Sequence, residues 1–186
     1  MPKSYKLSIP DLVVLEPDLF QDNRGFFYES YNKKIFDDIV GKKIDFVQDN
    51  HSKSSKGILR GLHYQKYPYE QGKLVRVTNG EVFDVAVDLR PKSQYFGKFS
   101  FEYLSAENKK QLWIPEGFAH GFLVISEEVD FIYKTTKFYN PKSEITINWN
   151  DPYLNIPWPK TETFLSEKDI NGISFSNFAS ELKNDF

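Results

Sequence analysis

The sequence contains no cysteine, only three histidines and a single methionine. The first absence excludes disulfides, thiolate catalysis and zinc sites built on cysteine. No apolar run is long enough to span a membrane, and the opening segment MPKSYKLSIPDL lacks the apolar stretch of a signal peptide. Neither sign of charge is in excess: 24 Lys and Arg stand against 26 Asp and Glu, for a net charge of -2. That balance argues against a broad basic face for nucleic acid as the main function, while leaving room for a local cationic pocket. Also missing are a GxGxxG fingerprint, a P-loop and a Ser-His-Asp spacing, so phosphate binding would fall to Arg and Lys side chains. No internal repeat or low-complexity tract stands out. These absences lead to the expectation of a soluble, cytoplasmic protein with no membrane and no nucleic-acid partner. The 186 residues are expected to form one domain, 1–186, long enough to bury about two-thirds of the unfolded surface.

Aromatic residues are plentiful: 17 Phe, 11 Tyr and 3 Trp make up 17% of the chain, a composition that suits strands better than helices. Strand-like runs recur at short spacing over 12–15, 25–31, 45–52, 58–65, 73–77, 81–89, 96–104, 111–114, 122–125, 129–135 and 144–149. Asn79-Gly80 predicts a tight type I′ hairpin between two of them. In the second of that pair, Phe83, Val85, Val87 and Leu89 share one face and Asp84 and Asp88 the other, which predicts a half-buried strand. One short helix is predicted over Lys33 to Val40, stopped by Gly41. Many short strands separated by turn signals indicate an all-β sandwich or barrel, and a jelly roll with a few short helices is the first choice because it leaves room for a ligand between its sheets. After Ile156 the pattern gives way to a proline-interrupted tail. It reads either as a surface wrap or as a segment that returns Ser166-Glu167-Lys168-Asp169 to a site.

Two of the histidines lie in glycine-framed apolar segments, Gly57-Ile58-Leu59-Arg60-Gly61-Leu62-His63-Tyr64-Gln65 and Trp113-Ile114-Pro115-Glu116-Gly117-Phe118-Ala119-His120-Gly121-Phe122. A group that titrates near neutral pH inside a sheet needs a partner or a task. His63 reads as a satisfied core histidine or as a functional one. Strict alternation puts Arg60 and His63 on opposite faces, so both serve one site only if Gly61 marks a bulge. Lys73 opens a strand and reads equally as a solvated end or a site cation. Tyr133 reads as a core aromatic and Arg24 as a turn residue unless a site claims them. Glu29 and Gln48-Asp49-Asn50 are polar groups within aromatic strands, which mark a network or a ligand.

The spacing Pro115-x-Gly117-x-x-His120 resembles the second motif of the cupin superfamily. Metal-binding cupins carry His-x-His in their first motif, but the matching segment here is His63-Tyr64-Gln65, and His51 is too isolated to substitute. A metal-free site is therefore expected, since a catalytic metal needs about three protein ligands. The segments around Arg24-Gly25, Gln48-Asp49-Asn50, Arg60-Gly61-Leu62-His63, Gly72-Lys73, Glu81 to Asp88, Trp113 to Phe122 and Ser166 to Asp169, in that order, resemble the dTDP-4-dehydrorhamnose 3,5-epimerase family over about Leu12 to Asp169.

The resemblance implies a cupin-type jelly roll, a homodimer working without metal or cofactor, and inversion of C3 and C5 of a 4-keto nucleotide sugar in dTDP-L-rhamnose synthesis. It implies His63 as the base, Asp169 as its orienting carboxylate, Lys73 as the cation at the enolate oxygen and Tyr133 as the acid. It further implies substrate contacts from Arg24, Glu29, Gln48, Asp49, Asn50, Arg60, His120, Glu144 and Lys168, with Phe27 and Tyr139 as stacking surfaces. Three rival readings remain at this point: an epimerase acting at C3 or C5 alone, a metal-dependent cupin oxygenase, and a non-catalytic sugar-binding jelly roll.

Overall fold

The structure, a computed structural model, describes residues 2–184. In chain order its elements are β1 (Lys3–Lys6), β2 (Val13–Glu16), β3 (Phe20–Asp22), β4 (Gly25–Phe27), α1 (Lys33–Val40), β5 (Gln48–Ser55), β6 (Leu59–Gln65), β7 (Lys73–Asn79), β8 (Glu81–Asp88), β9 (Phe99–Ser105), β10 (Gln111–Ile114), β11 (Phe118–Val124), β12 (Glu128–Thr135), β13 (Glu144–Thr146), α2 (Glu167–Ile170) and α3 (Phe175–Asn184). A six-stranded sheet, β1-β2-β10-β7-β12-β5, faces a five-stranded sheet, β13-β6-β11-β8-β9, while β3 and β4 form a separate hairpin. This is the jelly roll that the strand pattern led one to expect, and of the cupin type that the resemblance implied.

Alternation along each strand divides the apolar residues among three clusters. Val75, Val77, Val82, Ala86, Phe118, Phe122, Val124 and Phe131 fill the space between the sheets. The outer face of the six-stranded sheet buries Val13, Leu15, Leu74 and Trp113 beneath Phe36 of α1 and Ile44. The outer face of the five-stranded sheet buries Phe83, Val85, Val87 and Leu89 beneath Leu154, Ile156, Phe175 and Phe178 of the C-terminal segment. The helix α1 has the predicted limits: the Asn32 side chain caps the Ile35 amide, and Gly41 adopts the left-handed conformation at the other end.

Two expectations are corrected by this arrangement. Asn79-Gly80 does not close a hairpin, because β7 pairs with β10 and β12 whereas β8 pairs with β11 and β9. Both edges of each strand are occupied, so the turn is a corner that carries the chain from one sheet to the other. Gly80 is required there by a φ of 78° and by the Glu128 carbonyl oxygen, 2.0 Å from where a Cβ would stand. Nor is β8 half-buried. Its second face, with Val82, Asp84 and Ala86, looks into the sandwich, and the C-terminal segment covers the first. The run predicted over 25–31 is shorter, ending at Phe27, and α3 lies in a stretch where the sequence offered no pattern.

Candidate active site

One end of the space between the sheets is polar and forms a cavity of about 360 Å³. Strand β5 contributes Gln48, Asn50 and Ser52 by alternation, β12 contributes Phe131 and Tyr133, and β7 contributes Lys73. The facing sheet contributes Arg60 and His63 from β6, His120 and Phe122 from β11, and Glu144 from β13. Lys168, from the start of α2, and Tyr139, from the loop after β12, complete the rim.

Arg60 and His63 share this cavity because β6 is irregular. His63 lies opposite His120 and Arg60 opposite Phe122, so three steps on β6 span two on β11. Gly61 sits at the shift with φ of 128°, and a Cβ there would stand 2.5 Å from the Gly121 Cα. The extra residue turns side chains that strict alternation would separate onto one face.

His63 Nε2 donates to Asp169 Oδ1 at 2.6 Å, since a carboxylate can only accept; in the neutral ring Nδ1 is then the nitrogen free to take a proton. Asp169 is buried at the first turn of α2, where Ser166 caps its amide and donates its hydroxyl to Oδ2. Burial opposes ionisation of Asp169, but the hydrogen bond and charge of His63, with Ser166 and Lys168, outweigh it and hold the carboxyl below its ordinary range. The tail segment Ser166–Asp169 thus does return to the cavity.

Lys73 is 8% exposed, and among the described residues its ammonium has no hydrogen bond or ion pair. Burial brings its pKa down to about 8, against the opposing pull of Glu144 and Asp84. Across the cavity His120 Nε2 donates to both oxygens of Asp84, at 3.0 and 2.9 Å. Burial keeps the imidazole from charging and outweighs the attraction of Asp84. Burial also keeps the Tyr133 phenol protonated, with the charge of Arg60 opposing it.

At the rim Glu144 receives hydrogen bonds from Lys168 Nζ at 3.0 Å and Tyr139 Oη at 2.9 Å. Burial opposes its ionisation, and these two partners prevail, so its carboxyl titrates below the usual range. Gln48 and Gln65 hold the Tyr139 loop: Gln48 accepts from the Tyr139 amide, and Gln65 accepts from the Asn140 amide and donates to the Tyr69 carbonyl. Among the described residues no group of three or more His, Asp or Glu side chains is arranged to hold a metal ion.

Four of the residues singled out in the sequence do not reach this cavity within one chain. Arg24 lies at the tip of the β3–β4 hairpin, its side chain 86% exposed and paired with Asp22. Phe27, on the same hairpin, is 67% exposed. Glu29 lies beyond the hairpin, near the Asn32 amide. Asp49 points away from Gln48 and Asn50 by alternation and binds Lys134 at 2.8 Å. Conversely, Ser52, Gln65, Phe122 and Phe131 line the cavity without having been marked. Asp84 was read as part of a solvent-facing polar side. The available signal was its position as a lone carboxylate within Val82 to Val87.

A family model described as dTDP-4-dehydrorhamnose 3,5-epimerase matches residues 6–177. The chain is 61% identical over 170 residues to the dTDP-4-dehydrorhamnose 3,5-epimerase of Shigella flexneri, covering 91% of this chain and 94% of that one. The crystal structure of the dTDP-6-deoxy-D-glucose-3,5-epimerase of Legionella pneumophila, in complex with dTDP-4-keto-L-rhamnose, superimposes with a TM-score of 0.94 at 49% identity, covering 98% and 97% of the two chains. A 3'-monoepimerase from Streptomyces bikiniensis, solved with dTDP-quinovose, superimposes at 0.90 with 30% identity, over 96% of this chain and 90% of that one. The chain is a member of the dTDP-4-dehydrorhamnose 3,5-epimerase family of isomerases.

Proposed function

We propose that this protein inverts both C3 and C5 of dTDP-4-dehydro-6-deoxy-D-glucose, giving dTDP-4-dehydro-L-rhamnose for dTDP-L-rhamnose synthesis. The observation that carries this reading is the placement of His63 and Tyr133 on facing sheets, with one cavity between them. Inverting a carbon requires a base on one face of the sugar and an acid on the other. The C4 ketone acidifies the hydrogens on C3 and C5. His63 Nδ1 takes such a proton, and Asp169 stabilises the imidazolium that results. The electron pair moves onto the C4 oxygen, where the Lys73 ammonium meets the negative charge. Tyr133 then returns a proton to the opposite face, and exchange with water resets both groups.

Arg60 and Lys168 supply positive charge for the diphosphate, and Gln48, Asn50, His120 and Glu144 supply polar contacts to the substrate. Tyr139 at the rim offers a stacking surface. No metal or cofactor enters this scheme. We further propose a single domain and a cytoplasmic homodimer. The exposed β3–β4 hairpin, with Arg24, Phe27 and Glu29 far from their own cavity, supports a dimer in which this arm and Asp49 serve the partner's nucleotide.

Incubation with dTDP-4-keto-6-deoxy-D-glucose in deuterium oxide, followed by NMR, tests the reading. Deuterium at C3 and C5 is expected. Label at one carbon identifies a single-centre epimerase, and none at either overturns the assignment for this substrate. His63→Ala is expected to abolish exchange, and Tyr133→Phe to impair inversion more than exchange. A Tyr133→Phe enzyme that forms product at the full rate removes Tyr133 as the acid.

A further inference from the structure

Among the described residues, Asp84 is a buried carboxylate beside the cavity, bound to His120, that the proposed scheme leaves without a task. It is 0% exposed, and no surface salt or solvent reaches it. Both of its oxygens lie within hydrogen-bond distance of one atom, His120 Nε2. Burial raises the pKa of Asp84, and His120 and then Lys73 act against that rise, so its ionised form depends on these two neighbours, while Lys73 has no direct partner of its own. A buried carboxylate that served only to fill space would be replaced at lower cost by an apolar residue, because its desolvation is expensive.

We propose that Asp84 is a positioning residue for the reaction: by engaging His120 Nε2 with both oxygens it fixes that ring with Nδ1 bare, and it places a second carboxyl group behind the cavity wall that His120 shares with Lys73. The inference rests on the epimerase reading given above. The geometry separates two effects. The hydrogen bond sets the tautomer of His120, because an acceptor at Nε2 leaves Nδ1 bare, so the ring presents an acceptor to a sugar hydroxyl. The charge acts through space on Lys73. The other charged or titratable groups that face Lys73 are Glu144 from β13, which also favours the ammonium, and Lys168 from α2, which disfavours it. Around His120 the further groups are Lys73 and His63, and both disfavour a charged ring. Since burial alone brings Lys73 near the working range of pH, loss of one of its two supporting anions should be felt in the rate.

Asp84→Asn separates the charge from the hydrogen bond, because the amide oxygen still accepts from His120. The expected result is an alkaline limb of kcat that moves to lower pH by about one unit, the scale of a single nearby charge. KM is expected to change less than kcat, and the double variant Asp84→Asn with Lys73→Arg, whose guanidinium does not titrate, is expected to lose that limb. An Asp84→Asn enzyme with the wild-type pH profile overturns the inference while leaving the epimerase reading intact. A wild-type protein without exchange at C3 or C5 overturns the reading instead.

Should Asp84→Asn fail to fold, nitrogen-15 NMR of the wild-type histidines decides the first half on its own. A His120 with hydrogen on Nε2 and a bare Nδ1 at pH 7 is expected, and hydrogen on Nδ1 overturns it.

Discussion

Lys73 illustrates how a single residue can be held against its own preference. Its side chain is largely buried at the start of β7, its ammonium faces the cavity with no direct partner, and burial brings its pKa down to about 8. At neutral pH the folded chain therefore binds the proton less tightly than the unfolded chain does, with a stability cost on the scale of about 1.4 kcal/mol per tenfold change in proton affinity. Lys73→Met, which keeps the volume and removes the charge, is expected to raise stability at pH 7 by about 1–3 kcal/mol while abolishing deuterium exchange at C3 and C5. Calorimetry beside the exchange assay checks this; a variant that is less stable than wild type would show that the ammonium contributes more to the fold than it costs. The sign follows from the lowered pKa. The penalty is present below pH 8 and fades as pH rises from there to 10.5, the ordinary value of a lysine. The residue was legible in the sequence as a strand-opening lysine after Gln71-Gly72. Its burial was not, because that depends on the facing sheet.

At the scale of the element, β6 decides whether there is a site at all. A regular strand would direct Arg60 and His63 to opposite faces, and the shift at Gly61 brings them together. Gly61 holds φ of 128°, and the backbone of Gly121 stands where its side chain would be. Gly61→Ala is expected to lose about 2–4 kcal/mol in urea unfolding, since neither the dihedral nor the space admits a methyl group. It is also expected to lose exchange activity in whatever fraction stays folded, as Arg60 and His63 part company. Full activity in a folded Gly61→Ala protein would mean that the shift does not depend on the glycine. Sequence alternation raised this condition without being able to meet it. A bulge appears only when two strands are set side by side, and β11, which reveals it, lies more than fifty residues further along the chain. Helix α1 is the opposite case: Asn32, the apolar spacing and Gly41 fix both of its ends locally, and they stand where they were predicted.

Over the whole molecule, the C-terminal segment joins structure to chemistry. It covers the five-stranded sheet with Leu154, Ile156, Phe175 and Phe178, and along the way it delivers Asp169 to His63. Asp169 and Glu144 both titrate below their ordinary values, so their contribution to stability is complete above the unfolded pKa values of 3.8 and 4.5. That contribution is lost as pH falls through the folded values. Urea midpoints are accordingly expected to drop steeply below about pH 4.5, and Asp169→Asn is expected to flatten that drop while slowing exchange. An unchanged pH profile of stability in Asp169→Asn would separate the carboxylate from the fold. The sequence by itself determined the all-β class, the α1 helix, most strand positions and the identity of the chemical groups, because strand alternation, caps and side-chain chemistry are properties of neighbours in the chain. Only the tertiary structure decided that Asn79-Gly80 is a corner between sheets, that β8 is buried on both faces and that Asp84 serves His120. It alone placed His63 and Tyr133 across one cavity. Each of these depends on which surface a distant segment covers, and that is fixed by burial of the whole chain.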